Sequence, residues 1–306
     1  MIQLKNLTKT FDKQYAVKNI TFNLPSGKCV ALLGPNGAGK TTTLKMIAGL
    51  MHPTSGQVEL ANGVKGDIRK YIGYLPQHPQ FHSWMTGMEF LHYVARLSHI
   101  PKHESQKLAE QLLDRVGIAD AKNRKISKYS GGMKQRLGIA QAMIHKPSVL
   151  LLDEPVSALD PIGRRDVLNL MEELKQETTL LYSTHILGDA EEASDEILLM
   201  HKGAIVESGS LQDVKERHQV DKITLRFDGN MKAYKEKMEE FPFVTHTDIQ
   251  KQKIHVYVQN VPEARDVLLE LVSKEQWPLL FFEVGQTTLE DLFMKVVNEH
   301  AMADHL

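Results

Sequence analysis

Cysteine is almost missing from this chain, whose 306 residues include only Cys29. A single thiol excludes a disulfide framework and a thiolate metal cluster, and it points to a reducing, intracellular setting. Long apolar runs are missing too. The longest, such as Val149-Leu150-Leu151-Leu152, are strand-sized and far from the ~20 residues that span a bilayer. Any work at a membrane therefore has to be done through a partner. The formal net charge is -1, so nothing pulls the chain globally toward nucleic acid or anionic lipid. The opening residues, Met1 to Asn6, lack the charged and apolar regions of a secretory signal. What remains is enough length for a large core and about two domains.

The most informative stretch is Gly34-Pro35-Asn36-Gly37-Ala38-Gly39-Lys40-Thr41, which fits G-x-x-x-x-G-K-[ST] at every fixed position. It follows an apolar run, residues 29–33, that reads as a buried parallel strand, and it precedes a helix expected from about Thr42. Glycines at 34, 37 and 39 let successive N–H groups turn inward around a phosphate chain, and the helix that follows aims its positive end at the same phosphates. In that arrangement Lys40 reaches the β- and γ-phosphates, the Thr41 hydroxyl ligates Mg²⁺, and Thr42 lies near the α-phosphate.

Upstream, Ile20, Phe22 and Leu24 alternate as antiparallel strands do, and residues 10–15 read as a loop carrying two aromatics. Phe11, in preference to Tyr15, is the ring expected to stack on a purine. Residues 72–77 read as a strand ending at Gln77, whose amide can offer oxygen to Mg²⁺ and N–H to water. Residues 86–145 turn helical, with Phe90, Leu91, Val94 and Leu97 at three- and four-residue spacing. His78, His82, His92, His99 and His103 do not form a ligand pattern, because Pro101 breaks the pairing of His99 with His103. Ser130 is a natural N-cap before Gly131 and Gly132, and the helix it opens offers a second place to receive phosphate oxygens.

A buried strand, residues 149–152, then ends in Asp153 and Glu154. At the carboxyl end of a parallel strand these acids face the ligand crevice. Asp153 is assigned to Mg²⁺ and Glu154 to orienting and deprotonating the attacking water. Asp160 caps a helix with Pro161 at its first position. A further strand, residues 178–183, delivers His185 to the same edge, where it can contact the γ-phosphate.

Together these residues resemble the nucleotide-binding subunit of ABC transporters, over about residues 1–217. The resemblance implies an α/β P-loop ATPase with a parallel core sheet, an antiparallel β subdomain and a helical subdomain at about 86–146. It makes Phe11 the adenine-stacking aromatic, Gln77 the Q-loop glutamine, Ser130-Gly131-Gly132 the signature, Asp153-Glu154 the Walker B pair, residues 157–160 the D-loop and His185 the switch histidine. It further implies ATP and Mg²⁺ as cofactors, catalysis by Glu154, His185 and Gln77, and a head-to-tail dimer in which the signature of one copy closes over ATP held by the other. A transmembrane permease would be the second partner, with the chain peripheral on the cytoplasmic face of the membrane. Tyr129 and Met133 depart from the signature's usual Leu and Gln, and Val156-Ser157-Ala158 from the usual D-loop; the form is similar to that of ABC-2-type exporters. No departure removes a phosphate or metal ligand.

Residues 221–306 carry no catalytic constellation. Their pattern reads βαββαβ, a small α+β ferredoxin-like unit, followed by a helix at 288–298. The alternative function is a soluble ABC-type ATPase acting on ribosomes or DNA. One phosphate loop, the lack of inserted coiled coils and near-neutral charge weigh against it and against a nucleic-acid partner.

Overall fold

The computed structural model describes residues 2–60, 66–157, 159–217, 221–250, 252–285, 289–290 and 292–293. The chain divides into two compact units, Met1–Leu211 and Gln212–Leu306.

The first unit opens with β1 (Ile2–Phe11) and β2 (Gln14–Leu24), followed by β3 (Cys29–Leu33), α1 (Lys40–Ile47), β4 (Ser55–Leu60) and β5 (Ile72–Leu75). Helices α2 (Gly87–Leu97), α3 (Lys102–Arg115) and α4 (Gly131–Met143) come next. Then β6 (Val149–Asp153), α5 (Pro161–Leu174), β7 (Thr179–Thr184), α6 (Leu187–Ala193), β8 (Glu196–His201) and β9 (Ala204–Ser210) complete the run, and α7 (Leu211–Arg217) starts at the last residue of this unit and continues into the next. A three-stranded antiparallel sheet has the order β2-β1-β4, and a six-stranded sheet the order β5-β6-β7-β3-β8-β9. The latter is parallel except at the β9 edge.

Every residue of β3, β6 and β7 is buried, which is why these strands read as unbroken apolar runs. Their side chains alternate between two environments. Val30, Leu32, Leu151, Leu181 and Leu198 join Leu44, Met46 and Ile47 of α1 and Ile2, Leu4, Leu7 and Ile20 of the antiparallel sheet in one core cluster. From the opposite face Tyr182 reaches α6, its hydroxyl donating to the Asp189 carbonyl at 3.1 Å. The helical segment is opened by a capping box: Thr86 Oγ1 accepts from Glu89 N at 3.2 Å while the Glu89 carboxylate accepts from Thr86 N at 2.8 Å.

Several sequence expectations are corrected. Residues 10–15 are not a loop: Phe11 ends β1, Tyr15 lies in β2, and the connection is the two-residue turn Asp12-Lys13, both at positive φ (44° and 69°). Helix α1 starts at Lys40 rather than Thr42. Strand β5 stops at Leu75, leaving Gln77 in the following turn. Leu97 is 61% exposed, because α2 ends there and its apolar stripe is completed by Ala95.

The second unit contains β10 (Lys222–Phe227), α8 (Met231–Glu239), β11 (Val244–Gln250), β12 (Lys253–Val258), α9 (Val261–Lys274) and β13 (Leu279–Gly285). Its sheet order, β11-β12-β10-β13, is antiparallel throughout and is that of a ferredoxin-like split unit. Ile223, Leu225, Ile254 and Val256 from the sheet pack with Met238 of α8 and Leu268 of α9. Most of the helix expected at 288–298 lies outside the described residues.

Candidate active site

Four parallel strands end at one edge in register. Leu33 of β3 is level with Thr184 of β7, Leu75 of β5 with Leu152 of β6, and Asp153 with Ser183. The segments leaving that edge are the ones the sequence singles out, and strand order alone makes them neighbours.

The loop after β3 is shaped by glycine. Gly39 is the N-cap of α1 at φ 106°, ψ 3°, with no side chain capping the helix. A Cβ at Gly39 would sit 2.3 Å from the Ala16 carbonyl oxygen, so conformation and space both demand glycine. The first amides of α1 therefore face the loop without a side-chain partner, the arrangement that receives phosphate. Lys40 is 6% exposed, and its Nζ donates to the carbonyls of Gly34 (2.7 Å) and Pro35 (3.2 Å) and lies 3.5 Å from Glu154 Oε1.

Strand alternation explains the acidic side. Asp153 is two residues beyond Leu151 and Ser183 two beyond Leu181, so both face α1. There Asp153 Oδ1 accepts from Thr41 Oγ1 at 3.0 Å and from Ser183 Oγ at 2.6 Å. Oδ2 of the same carboxylate is buried without a close hydrogen-bond partner, and the buried Tyr74 hydroxyl lies near enough to interact with the carboxylate. Burial and the adjacent Asp153 carboxylate both push the Tyr74 phenol above its ordinary range. A buried carboxylate with an unpartnered oxygen beside a threonine hydroxyl is a hard-oxygen donor set that fits Mg²⁺.

Glu154 begins the turn after β6 at φ 50°, the left-handed region that side chains rarely occupy. Its N–H donates to Ser183 Oγ at 2.9 Å and lies 3.2 Å from the Ser183 carbonyl oxygen. Its carboxylate, 6% exposed, lies 2.9 and 3.0 Å from Nδ1 of the half-exposed His185. The Glu154 carbonyl accepts from Ser157 Oγ at 3.2 Å, which ties the start of the following turn to the acid. Ala158 lies outside the described residues. Asp160 caps α5 by accepting from Gly163 N at 2.8 Å.

These groups open onto a cavity of about 340 Å³ lined by Ala16, residues 36–42, Gln77 and Glu154. The structure thus brings together Asn36, Gly37, Ala38, Gly39, Lys40, Thr41, Thr42, Gln77 and Glu154, with Asp153 and His185 each one contact away. It does not bring in Phe11, which is 47% exposed with the Lys9 ammonium 5.2 Å from its ring centre. Nor do Ser130, Gly131 and Gly132 line this cavity. Ser130 caps α4, accepting from Met133 N at 3.2 Å, and is exposed together with Gly131. Among the described residues no group of three metal-ligating side chains occurs, so the histidines form no cluster.

Three contributors escaped sequence reasoning. Ala16 and Tyr74 carry no motif, and Ser183 looked like one more strand residue before the histidine. Tyr129, the departure at the head of the signature, is buried, and its hydroxyl donates to the Ala121 carbonyl at 2.8 Å. Gly87 makes room for that hydroxyl, since a Cβ there would meet it at 2.3 Å.

Comparison with known proteins agrees with this arrangement. The ABC transporter family model matches residues 17–157, and that of the C-terminal domain of DrrA1-3-like ATP-binding proteins matches residues 209–297. The chain is 44% identical to the ABC transporter ATP-binding protein YxlF of Bacillus subtilis (strain 168), over 97% of this chain and 100% of that protein. It is 34% identical to the bacitracin transport ATP-binding protein BcrA of Enterococcus faecalis, over 99% of this chain and 98% of that one. Among solved structures, a dimeric post-hydrolysis state of the ATP-binding cassette MJ0796 bound to ADP and Pi aligns with a TM-score of 0.63 at 29% identity, covering 69% of this chain and 99% of that one. At 44% identity to one such protein over nearly its whole length, the chain belongs to the ATP-binding subunits of the ABC transporter family.

Proposed function

We propose that this chain hydrolyses ATP to energise a separate membrane permease, in the direction of export, from the cytoplasmic face of the membrane. The observation that carries the reading is the meeting, at one cavity, of Lys40, the Thr41–Asp153 pair and the Glu154–His185 pair. Support for export comes from the similarity to BcrA, named for bacitracin transport, and to the linearmycin resistance protein LnrL of Bacillus subtilis, which is 30% identical over 97% of this chain.

In this reading the phosphate chain of ATP lies along residues 34–42. Lys40, now turned to the loop's own carbonyls and to Glu154, swings its ammonium to hydrogen-bond the β- and γ-phosphate oxygens. Mg²⁺, when bound, neutralises charge on those phosphates, and Thr41 and Asp153 would hold it, with Gln77 at the cavity wall. Glu154 orients a water and accepts its proton as the water oxygen attacks the γ-phosphorus and the bond to the bridging oxygen breaks, releasing ADP and phosphate. His185 holds the Glu154 carboxylate in place. Phe11 stacks on adenine, and Ser130, Gly131 and Gly132 of a second copy close over the γ-phosphate, the two copies being arranged head to tail. Domain roles follow: residues 1–217 perform the chemistry, and residues 221–306 support the assembly.

Glu154→Gln tests this assignment. Turnover is expected to fall by about 10²–10⁴-fold, the usual contribution of a general base, while ATP binding persists. Turnover within threefold of the parent would remove Glu154 from the mechanism. Purification with a multispanning protein supports the transport role, and co-purification with ribosomes in its place contradicts it.

A further inference from the structure

Both acids of the site lean on a single hydroxyl. Ser183 is 0% exposed at the second-last position of β7, level with Asp153 across the sheet. Its Oγ donates to Asp153 Oδ1 at 2.6 Å and accepts from Glu154 N at 2.9 Å. A hydroxyl has one proton and two lone pairs, so both bonds form at once, and the directions are fixed: a carboxylate has no proton to donate and a backbone N–H can only donate. The Asp153 bond is charge-assisted and ties up Oδ1, leaving Oδ2 as the unpartnered oxygen of the carboxylate. The Glu154 bond holds a residue at φ 50°, a backbone conformation that costs energy and persists only where its surroundings fix it.

We infer that Ser183 is a positioning residue for the hydrolytic site, orienting the Asp153 carboxylate toward the divalent cation and locking the backbone that aims Glu154 at the attacking water. The inference rests on the roles given above to Asp153 and Glu154. It differs from the part played by Thr41, whose hydroxyl bonds the Asp153 carboxylate, and by His185, whose ring bonds the Glu154 carboxylate. Without the Ser183 hydroxyl the Asp153 carboxylate keeps the Thr41 bond and can swing about it, while the Glu154 amide keeps only the longer contact to the Ser183 carbonyl at 3.2 Å.

The test uses the full chain carrying Ser183→Ala, Ser183→Thr or Ser183→Cys, the last with a thiol in place of the hydroxyl. Steady-state ATPase activity is measured beside Mn²⁺ binding, followed by paramagnetic resonance with a non-hydrolysable ATP analogue, and thermal unfolding. For Ser183→Ala, kcat is expected to fall about 10- to 100-fold and Mn²⁺ to bind about tenfold more weakly, the range of one hydrogen bond to a charged group, with KM for ATP within threefold of the parent. Ser183→Thr, which keeps the hydroxyl, is expected to recover most of both losses. Should Ser183→Ala fail to fold, Ser183→Cys is the variant read. A lowered melting temperature with kcat and Mn²⁺ binding unchanged would reduce Ser183 to core packing and overturn the inference. So would a fall in kcat with Mn²⁺ binding intact. Asp153→Asn separates the two levels: if it leaves Mn²⁺ binding unchanged, the metal reading itself fails, whereas a loss there and none in Ser183→Ala sinks only the role of Ser183.

Discussion

Two glycines of the phosphate loop can be told apart by arithmetic. Gly37 (φ 82°) and Gly39 (φ 106°) both occupy backbone regions that alanine resists, at about 1–2 kcal/mol each. Their surroundings differ. A Cβ at Gly37 meets nothing within 4 Å, whereas one at Gly39 would lie 2.3 Å from the Ala16 carbonyl oxygen and 2.8 Å from Met200 Cε. The methionine end can swing away, but the carbonyl belongs to β2, so relief requires moving strand or helix at an overpacking cost of about 1–3 kcal/mol. Gly37→Ala should thus cost about 1 kcal/mol and Gly39→Ala about 3 kcal/mol. For a unit of this size each kcal/mol lowers the melting temperature by about 2–4 °C, giving drops of about 2–4 °C and 6–12 °C. Calorimetric or fluorescence melting of both variants, without nucleotide, reads the difference directly. Because Gly39 is the N-cap of α1, that variant should also lose ATP affinity by more than tenfold. Equal melting temperatures would refute the claim that the close approach of Ala16 makes position 39 the more demanding one.

Two further predictions follow from charge and burial. Burial, chiefly, with Asp195 nearby, pushes the Cys29 thiol up to about 12 from 9.0, so the folded chain should resist thiol reagents at pH 8 and react on unfolding. Because the folded value is the higher one, this contribution to stability is whole below pH 9 and is lost as pH rises toward 12; Cys29→Ala should flatten that part of the parent's pH–melting curve, and identical curves would refute it. Burial raises the Asp189 carboxyl, and its partner Arg164 opposes that rise. Arg164→Ala should cost about 1–3 kcal/mol, below the full range for a buried pair because Arg164 is 35% exposed, and the deficit should be smaller at pH 5 than at pH 8, where an unpaired Asp189 must carry charge. A deficit equal at both pH values would contradict the role given to burial.

The sequence shows the site most clearly where backbone demand and chemistry coincide. Gly34, Gly37, Gly39 and Lys40 are legible because no other residue types meet those conformations and that charge. Asp153, Glu154 and His185 are legible because a fully buried strand has little other reason to end in ionisable residues. Ser183 was hidden for the opposite reason: a serine in an apolar strand has no distinct pattern, and its importance comes from β6 lying beside β7, which is a matter of topology. Ala16 acts through its backbone oxygen, which any residue would supply. Phe11 and Tyr15 were misplaced in a loop because their apolar character was credited to function, when the hairpin turn needs only Asp12 and Lys13. The second unit was readable from alternation at Ile223 and Leu225 and at Ile254 and Val256, while its task left no trace in residue type. The phosphate contacts proposed for Ser130 cannot form within a single copy, since the helix it caps lines no part of the cavity in its own chain.

That last point locates the central claim in the contact between copies. The most direct measurement is the mass in solution of the Glu154→Gln chain, by light scattering, with saturating ATP and Mg²⁺. The account predicts a doubled mass that collapses to the single-chain value without nucleotide, and again when Ser130→Arg is added. A chain that binds ATP at full occupancy and keeps the single-chain mass, or a dimer indifferent to Ser130→Arg, would contradict it.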